Sequence, residues 1–261
     1  MDLEAAIRTG LNEGQFVLHY QPIVDVVSRD TASYEALVRW DRPGHGLVQP
    51  DEFIPTAELS NLICDLGRWV LHEATGQLAE WNRAHAGSLT VAVNISGRHL
   101  ATAGIVADVA RALETAHLPA DRLVLEITET VLVDQPMALA HLGALQELGV
   151  GISIDDFGTG YTSIGRLQNL SVDTLEIDRS LVASSAPGAG ELVRLVVHAA
   201  HAFGLTVVGE GVEHEAQLGS LVKAGCDFAQ GFLFARPQPP SGLTTIADRH
   251  VTRVGPAGHA V

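Results

Sequence analysis

A parallel α/β barrel is the architecture this sequence predicts, on three observations. Short apolar runs alternate with longer stretches of helical period. The length of 261 residues suits a closed (β/α)8 barrel, which takes about 250. No shift of composition marks a domain boundary, so residues 1–248 read as a single barrel domain. In chain order, Met1–Asn12 has a helical pattern, and Phe16–Ile23 and Tyr34–Trp40 are candidate strands with no helix between them. One of this pair is therefore expected to pair irregularly. Asp41–Pro50 is rich in Gly and Pro and reads as a loop, and Ile63–His85 has helical period. Leu89–Ile95 and Leu123–Thr128 are strands on either side of the helix Ala103–Ala116. Gly151–Asp155 and Thr174–Ile177 follow the helix Met137–Leu148. Ser184–Gly190 is a loop before the helix Glu191–Phe203. Thr206–Gly209 and Asp227–Phe232 enclose the helix Glu213–Ala224. Ala235–Gly242 reads as a loop, and Arg249–Val261 as a flexible tail.

Composition narrows the function. Hydrophobic residues make up 46% and charged residues 18%, ample for a core. Lys+Arg 16 against Asp+Glu 31 gives a net charge of -15, which argues against a nucleic-acid groove or an anionic membrane surface. An anionic small molecule stays open, because bound metal ions reverse the local sign. Cys64 and Cys226 cannot make a disulfide framework and read as free thiols in a reducing cytoplasm. No run approaches the length of a membrane span, and no secretory leader is apparent. Ser153 and Ser163 lack a base at recognisable spacing, and Gly158-x-Gly160 lacks the rest of a dinucleotide fingerprint. His198 and His201 have a metal-like spacing, yet read as one face of a helix.

Polar residues interrupt the apolar strands in a telling way. Asn94 lies opposite Val91, Val93 and Ile95; Glu126 shares a face with Val124 and Thr128; Asp155 and Asp156 end a strand together. Glu35 sits inside Tyr34–Trp40, Glu210 follows Thr206–Gly209, and Gln230 interrupts the last strand. Singly, such acids could cap helices. At successive strand ends of a barrel they converge on one mouth, where they must protonate, separate or bind cations. An all-oxygen set with an amide suits Mg2+, Mn2+ or Ca2+, and its size allows two metals.

The motifs Tyr20-Gln21-Pro22-Ile23, Glu35-Ala36-Leu37-Val38-Arg39-Trp40, Phe53-Ile54-Pro55, Asn94-Ile95-Ser96, Glu126-Ile-Thr-Glu129, Asp155-Asp156-Phe-Gly-Thr-Gly-Tyr-Thr-Ser163, Glu210-Gly-Val-Glu213 and Gln230-Gly-Phe232 occur in this order. As a set, from about Leu11 to Pro239, the chain resembles the EAL family of cyclic di-GMP phosphodiesterases. The resemblance implies a modified TIM-like barrel with one antiparallel strand, and hydrolysis of cyclic di-GMP to linear pGpG by two-metal activation of water with Mg2+ or Mn2+. It also implies a homodimer and attached or partner sensory or GGDEF domains. By resemblance, Glu35, Asn94, Glu126 and Asp155 hold the first metal. Asp155, Asp156 and Glu210 hold the second, with Asp155 bridging. Gln21, Leu37, Arg39 and Gln230 bind substrate, Arg39 through a phosphate. Glu210 and Gln230 serve the catalytic network, and Glu129 pins the loop Phe157–Ser163, in which Tyr161 is a candidate anchor.

One position departs from the pattern. The family motif Val-Asp-x-Leu-Lys-Ile-Asp here reads Val172-Asp-Thr-Leu-Glu176-Ile-Asp178, and the single lysine, Lys223, is expected on an outer helix. Glu176 reverses the sign of a charge that the family sets beside the catalytic water. Either Glu176 faces solvent or pairs with Arg179 and leaves hydrolysis slow, or the site binds cyclic di-GMP as a non-hydrolytic receptor. Reduced activity is the expectation. Asp178 is expected to support the strand-end network rather than ligate.

Overall fold

The computed structural model describes residues 2–85, 89–129, 131, 136–158 and 171–243. Eight strands close a barrel: β1 (Phe16–Asp25) and β2 (Thr31–Arg42), then β4 (Thr90–Asn94), β5 (Leu123–Thr128), β6 (Gly151–Phe157), β7 (Thr174–Ile177), β8 (Thr206–Gly209) and β9 (Phe228–Gln230). A short β3 (Gly46–Val48) pairs antiparallel on the outer end of β2. β1 runs antiparallel to both its neighbours, β2 and β9, and every other pair in the closed ring is parallel. The cause is local. Between β1 and β2 the chain has only a tight turn, in which Asp25 Oδ1 accepts from the backbone N–H groups of Val27 and Ser28 at 2.9 and 2.8 Å. A parallel return needs a crossover of a dozen or more residues.

Among the described residues the helices are α1 (Leu3–Asn12), α2 (Ile54–Glu58), α3 (Leu62–His85), α4 (Gly97–Leu100), α5 (Ile105–Ala116), α6 (Pro136–Glu147), α7 (Arg179–Val182), α8 (Ala189–Ala202), α9 (Glu215–Ala224) and α10 (Pro240–Leu243). The expected elements are all present, with ends shifted by a few residues. Two segments differ in kind. Asp41–Pro50, expected as a loop, carries β3, because Gly44 and Gly46 take positive φ and fold the chain back onto Trp40–Arg42. Ala235–Gly242 holds the start of α10, and Gln238 bridges to Tyr20. The tail Arg249–Val261 lies outside the described residues.

Alternation along each strand builds two cores. Outward-facing Val91, Val93, Leu123, Leu125, Ile152, Ile154, Leu175 and Val207 are fully buried in the layer that includes the helices. There Trp81 of α3 meets the ring of Tyr20 edge-on at 4.8 Å and that of Tyr34 at 4.9 Å. The inward faces of the strands form a separate small cluster of Ile23, Ala92 and Val208, with Val124 and Phe228 against it. One step of alternation further, two residues along, the inward positions are Gln21, Asn94, Glu126, Glu210 and Gln230. The apolar floor of the barrel mouth and its polar ring are thus successive layers of the same strands.

Candidate active site

The ring begins on β2. Glu35, Leu37 and Arg39 alternate along one face of that strand, and Glu35 stands opposite Gln21 in register. Asn94, at the exposed end of β4, donates through Nδ2 to Glu35 Oε1 at 2.7 Å and to Glu126 Oε2 at 2.9 Å. From the far side Gln230 Nε2 donates to Glu35 Oε2 at 2.5 Å and to Gln21 Oε1 at 3.1 Å. Gln21 in turn donates to the carbonyl of Ala235 at 2.9 Å, which ties the ring to the segment after β9. Glu176, on β7, accepts from the Ser153 hydroxyl of β6 at 2.6 Å. Beneath Glu126 and Glu176 lies a cavity of about 660 Å3 that reaches down to Thr90, Gly151, Thr174 and Thr206 at the other end of the barrel.

Adjacent residues of a regular strand face opposite ways, yet both Asp155 and Asp156 serve the mouth. The β6–β7 register slips between Ile154 and Phe157, and Asp156 adopts φ 58°. This left-handed residue in a bulge turns the second carboxylate inward. Oxygens of Asp155, Glu176 and Glu210 come within 4.8 Å of one another, as do those of Asp156, Asp178 and Glu210. Two glycines permit the approach of the neighbouring segments. A Cβ on Gly211 would lie 2.3 Å from that of Arg179, and one on Gly231 would lie 2.2 Å from the backbone N and O of Val212.

Burial raises the pKa of Glu35, Glu126, Asp155, Asp156, Glu176 and Glu210. Glu126 is 1% exposed; desolvation, then repulsion from Glu176, Glu35, Asp155 and Glu210, pushes its carboxyl well above the usual range. Desolvation, then Glu176 and Asp156, lifts Asp155 to about 8. Glu176, 2% exposed, is lifted by burial to about 7 although the Ser153 hydroxyl stabilises its charge. Glu210 rises well above the carboxylate range through burial and the charges of Glu176 and Asp155, and Asp156 is raised through burial and the charge of Asp178. In Glu35 burial outweighs the hydrogen bonds from Gln230 and Asn94 and the attraction of Arg39. Arg39 is itself buried, which lowers its pKa against the pull of Glu35 and Asp51. Oε1 of Glu126 is buried without a donor. An all-oxygen site with surplus carboxylates and an orphaned buried oxygen is suited to hard divalent cations.

Residues 4–237 match the EAL domain family. The chain belongs to the EAL domain family. It is 44% identical over 246 residues to an uncharacterized protein of Mycobacterium tuberculosis, covering 93% of this chain and 40% of that protein. It is 41% identical over 240 residues to the bifunctional diguanylate cyclase/cyclic di-GMP phosphodiesterase MucR of Pseudomonas aeruginosa, covering 91% of this chain and 35% of MucR. The chain thus spans well under half the length of these relatives. The structure of the MucR phosphodiesterase in complex with cyclic di-GMP superposes with a TM-score of 0.88 at 41% identity, covering 93% of this chain and 100% of that one.

In this EAL domain the expected ring residues Glu35, Asn94, Glu126, Gln21 and Gln230 are joined by direct hydrogen bonds, and Asp155, Asp156 and Glu210 meet in the two carboxylate groups. Leu37 is half-buried beside Arg39 on the face of β2. Glu129 is buried just past β5, while Tyr161, Ser163 and the loop from Thr159 onward lie outside the described residues. The expectation that Glu176 faces solvent or pairs with Arg179 is overturned. Glu176 is an inward position of β7, next to Glu126 and Glu210, and its hydrogen-bond donor is Ser153. Sequence reasoning missed the part of Ser153 in the site, and the expected supporting residue Asp178 lies closer to the acids than foreseen. Ser153, which as a serine lacking a base gives no nucleophile signal, sits two residues before Asp155 on the same strand face. Asp178 meets Asp156 and Glu210 while its Oδ1 caps α7 through Ser180 N–H at 2.9 Å. His198 is exposed, and His201 is exposed and bonded to Asp227 at 2.8 Å, both on the helix α8.

Proposed function

We propose that this EAL domain binds cyclic di-GMP and hydrolyses one of its phosphodiesters to linear pGpG, at a reduced rate. The observation that carries the reading is the hydrogen-bonded ring of Glu35, Asn94, Glu126 and Gln230, set against the Asp155, Glu176 and Glu210 carboxylates, with an orphaned oxygen on Glu126. Glu35, Asn94, Glu126 and Asp155 would hold one Mg2+ or Mn2+, and Asp155, Asp156 and Glu210 a second. Bound there, such ions supply Lewis acidity toward the phosphate and lower the pKa of water. The chain's own residues do the positioning. Asn94 and Gln230 fix the Glu35 carboxylate from both sides, and Gln21 holds Gln230. Arg39, always charged and forked, takes a phosphate oxygen, and Leu37 offers the apolar surface beside it. Glu129 steadies the loop that begins at Phe157.

Glu176 is the reason for the lowered rate. A buried carboxylate beside Asp155 and Glu210 repels both an attacking hydroxide and the phosphate, and the loss of one charge-stabilising group costs about 10²–10³ in rate. The same observation favours a second reading, a receptor that binds cyclic di-GMP without turning it over. Residues 1–248 form the domain in this reading, with a homodimer, GGDEF or sensory domains as partners, and a cytoplasmic location that keeps buried Cys64 and Cys226 reduced. No described helix is long and apolar enough to cross a membrane. Incubation with cyclic di-GMP and Mg2+ or Mn2+, beside Glu176→Lys, tests the proposal. Slow pGpG formation that rises at least about tenfold in Glu176→Lys supports it. Binding without pGpG in the parent chain selects the receptor, and equal rates in the two chains refute the role given to Glu176.

A further inference from the structure

The geometry points to Glu176 as a ligand in its own right, so that Asp155, Glu176 and Glu210 together coordinate a divalent cation. The inference rests on the reading of the barrel mouth as a cation site and extends it to a residue with no part in the ligand sets above.

Three strands bring the oxygens together. Glu176 and Val208 are partners in the β7–β8 register, so Glu210, just beyond β8, reaches the mouth beside Glu176. On the other side β6 delivers Asp155, two residues past Ser153 on the same face of the strand. One oxygen from each of the three side chains lies within 4.8 Å of the others. Oxygens on opposite sides of a divalent cation are separated by twice the metal–oxygen bond, about 4–5 Å for bonds of about 2.1–2.5 Å. The observed spacing therefore fits one shared ion with little movement.

Two observations outside this trio point the same way. Ser153 donates to Glu176 Oε1 at 2.6 Å, which fixes the side chain in place beside Asp155 and Glu210. Second, Glu126 has an oxygen buried without a donor, and its carboxyl lies in hydrogen-bonding contact with that of Glu176. An unpaired acceptor buried beside three carboxylates is a costly arrangement, and a cation among them relieves it.

The test uses Mn2+ alone, without substrate. Calorimetric titration of the parent chain and of Glu176→Gln, which keeps size and shape, reads the affinity directly. Loss of the ligand is expected to weaken binding by about 10–100-fold or more, a range already reached when groups one shell out from a metal are lost. Because removal of charge alone also weakens binding, anomalous diffraction from Mn2+-loaded crystals of the parent chain supplies the second readout. An ion within about 2.5 Å of a Glu176 oxygen supports the assignment. An ion bound only to other residues, or equal Mn2+ affinity in the two chains, overturns it. The proposed hydrolysis is judged separately. If pGpG forms while Glu176→Gln binds Mn2+ like the parent, the ligand role falls and the phosphodiesterase stands. If Mn2+ sits on Glu176 and no pGpG forms, the ligand role stands and the phosphodiesterase falls.

Discussion

The crowded acids of the mouth make a sharp statement about stability. A group whose pKa is raised by folding holds its proton more tightly in the folded chain, so its contribution is fully present below the unfolded pKa and is lost as pH rises through the folded one. Glu176 moves from 4.5 to about 7, a shift of roughly 2.5 pH units, which corresponds to about 3 kcal/mol. Asp155 moves further, from 3.8 to about 8. The two share the same repulsion, so their contributions do not add in full, and a loss of at least about 3 kcal/mol is expected of metal-free protein between pH 4.5 and 8. Against a typical total of about 5–15 kcal/mol, that is a large fraction. His99 works in the opposite direction, because burial lowers its pKa and its contribution grows as pH rises toward 6.5. Urea unfolding at intervals from pH 5 to pH 8 in a chelator measures the sum, and Glu176→Gln isolates the share of Glu176 by flattening the profile. Mn2+ at about 100 times its Kd should restore about 2.7 kcal/mol, most visibly at the alkaline end. A midpoint that stays level or climbs with pH in the chelator, for the parent and Glu176→Gln alike, would refute the idea that the acids confront one another without compensation.

Other perturbations probe the frame and the substrate contact. Gly231→Ala should cost about 3 kcal/mol or more, or prevent folding, since the new methyl group would fall 2.2 Å from the backbone of Val212; denaturant unfolding reads it. Arg39→Lys should weaken cyclic di-GMP binding at least about tenfold while the melting temperature changes little, because an ammonium cannot reproduce the guanidinium fork. Isothermal titration beside a thermal melt checks both halves of that expectation.

The barrel was legible because its strands are short apolar runs whose inward face changes character at one end. Ala92 before Asn94, Val124 before Glu126 and Phe228 before Gln230 each mark a step from floor to ring by the two-residue period of a strand. The fate of Asp156 was not legible in this way. Simple alternation would send it away from Asp155, and it is the slip of pairing with β7, a property of two strands together, that turns it back. Glu176 follows Thr174 by the two-residue period of β7, and the burial of that face excludes the solvent reading; its hydrogen bond from Ser153 depends on the neighbouring strand β6. The short β9 ends at Gln230 for a reason outside its own segment, since Gly231 must pass the backbone of Val212. Burial in the aromatic layer, with Trp81 against Tyr20 and Tyr34, likewise depends on how α3 lies on the barrel.

The left-handed conformation of Asp156 sets robustness and chemistry against each other at a single residue. A side chain held at positive φ carries a conformational penalty of order 1–3 kcal/mol, which glycine would escape. Replacement by glycine is therefore the change that would relax this corner of the barrel and at the same stroke delete one of its acids. A screen that rewards thermal tolerance alone would drift toward a sturdier and emptier mouth, whereas asparagine, equally at ease in this twist, would part the shape of the corner from its charge.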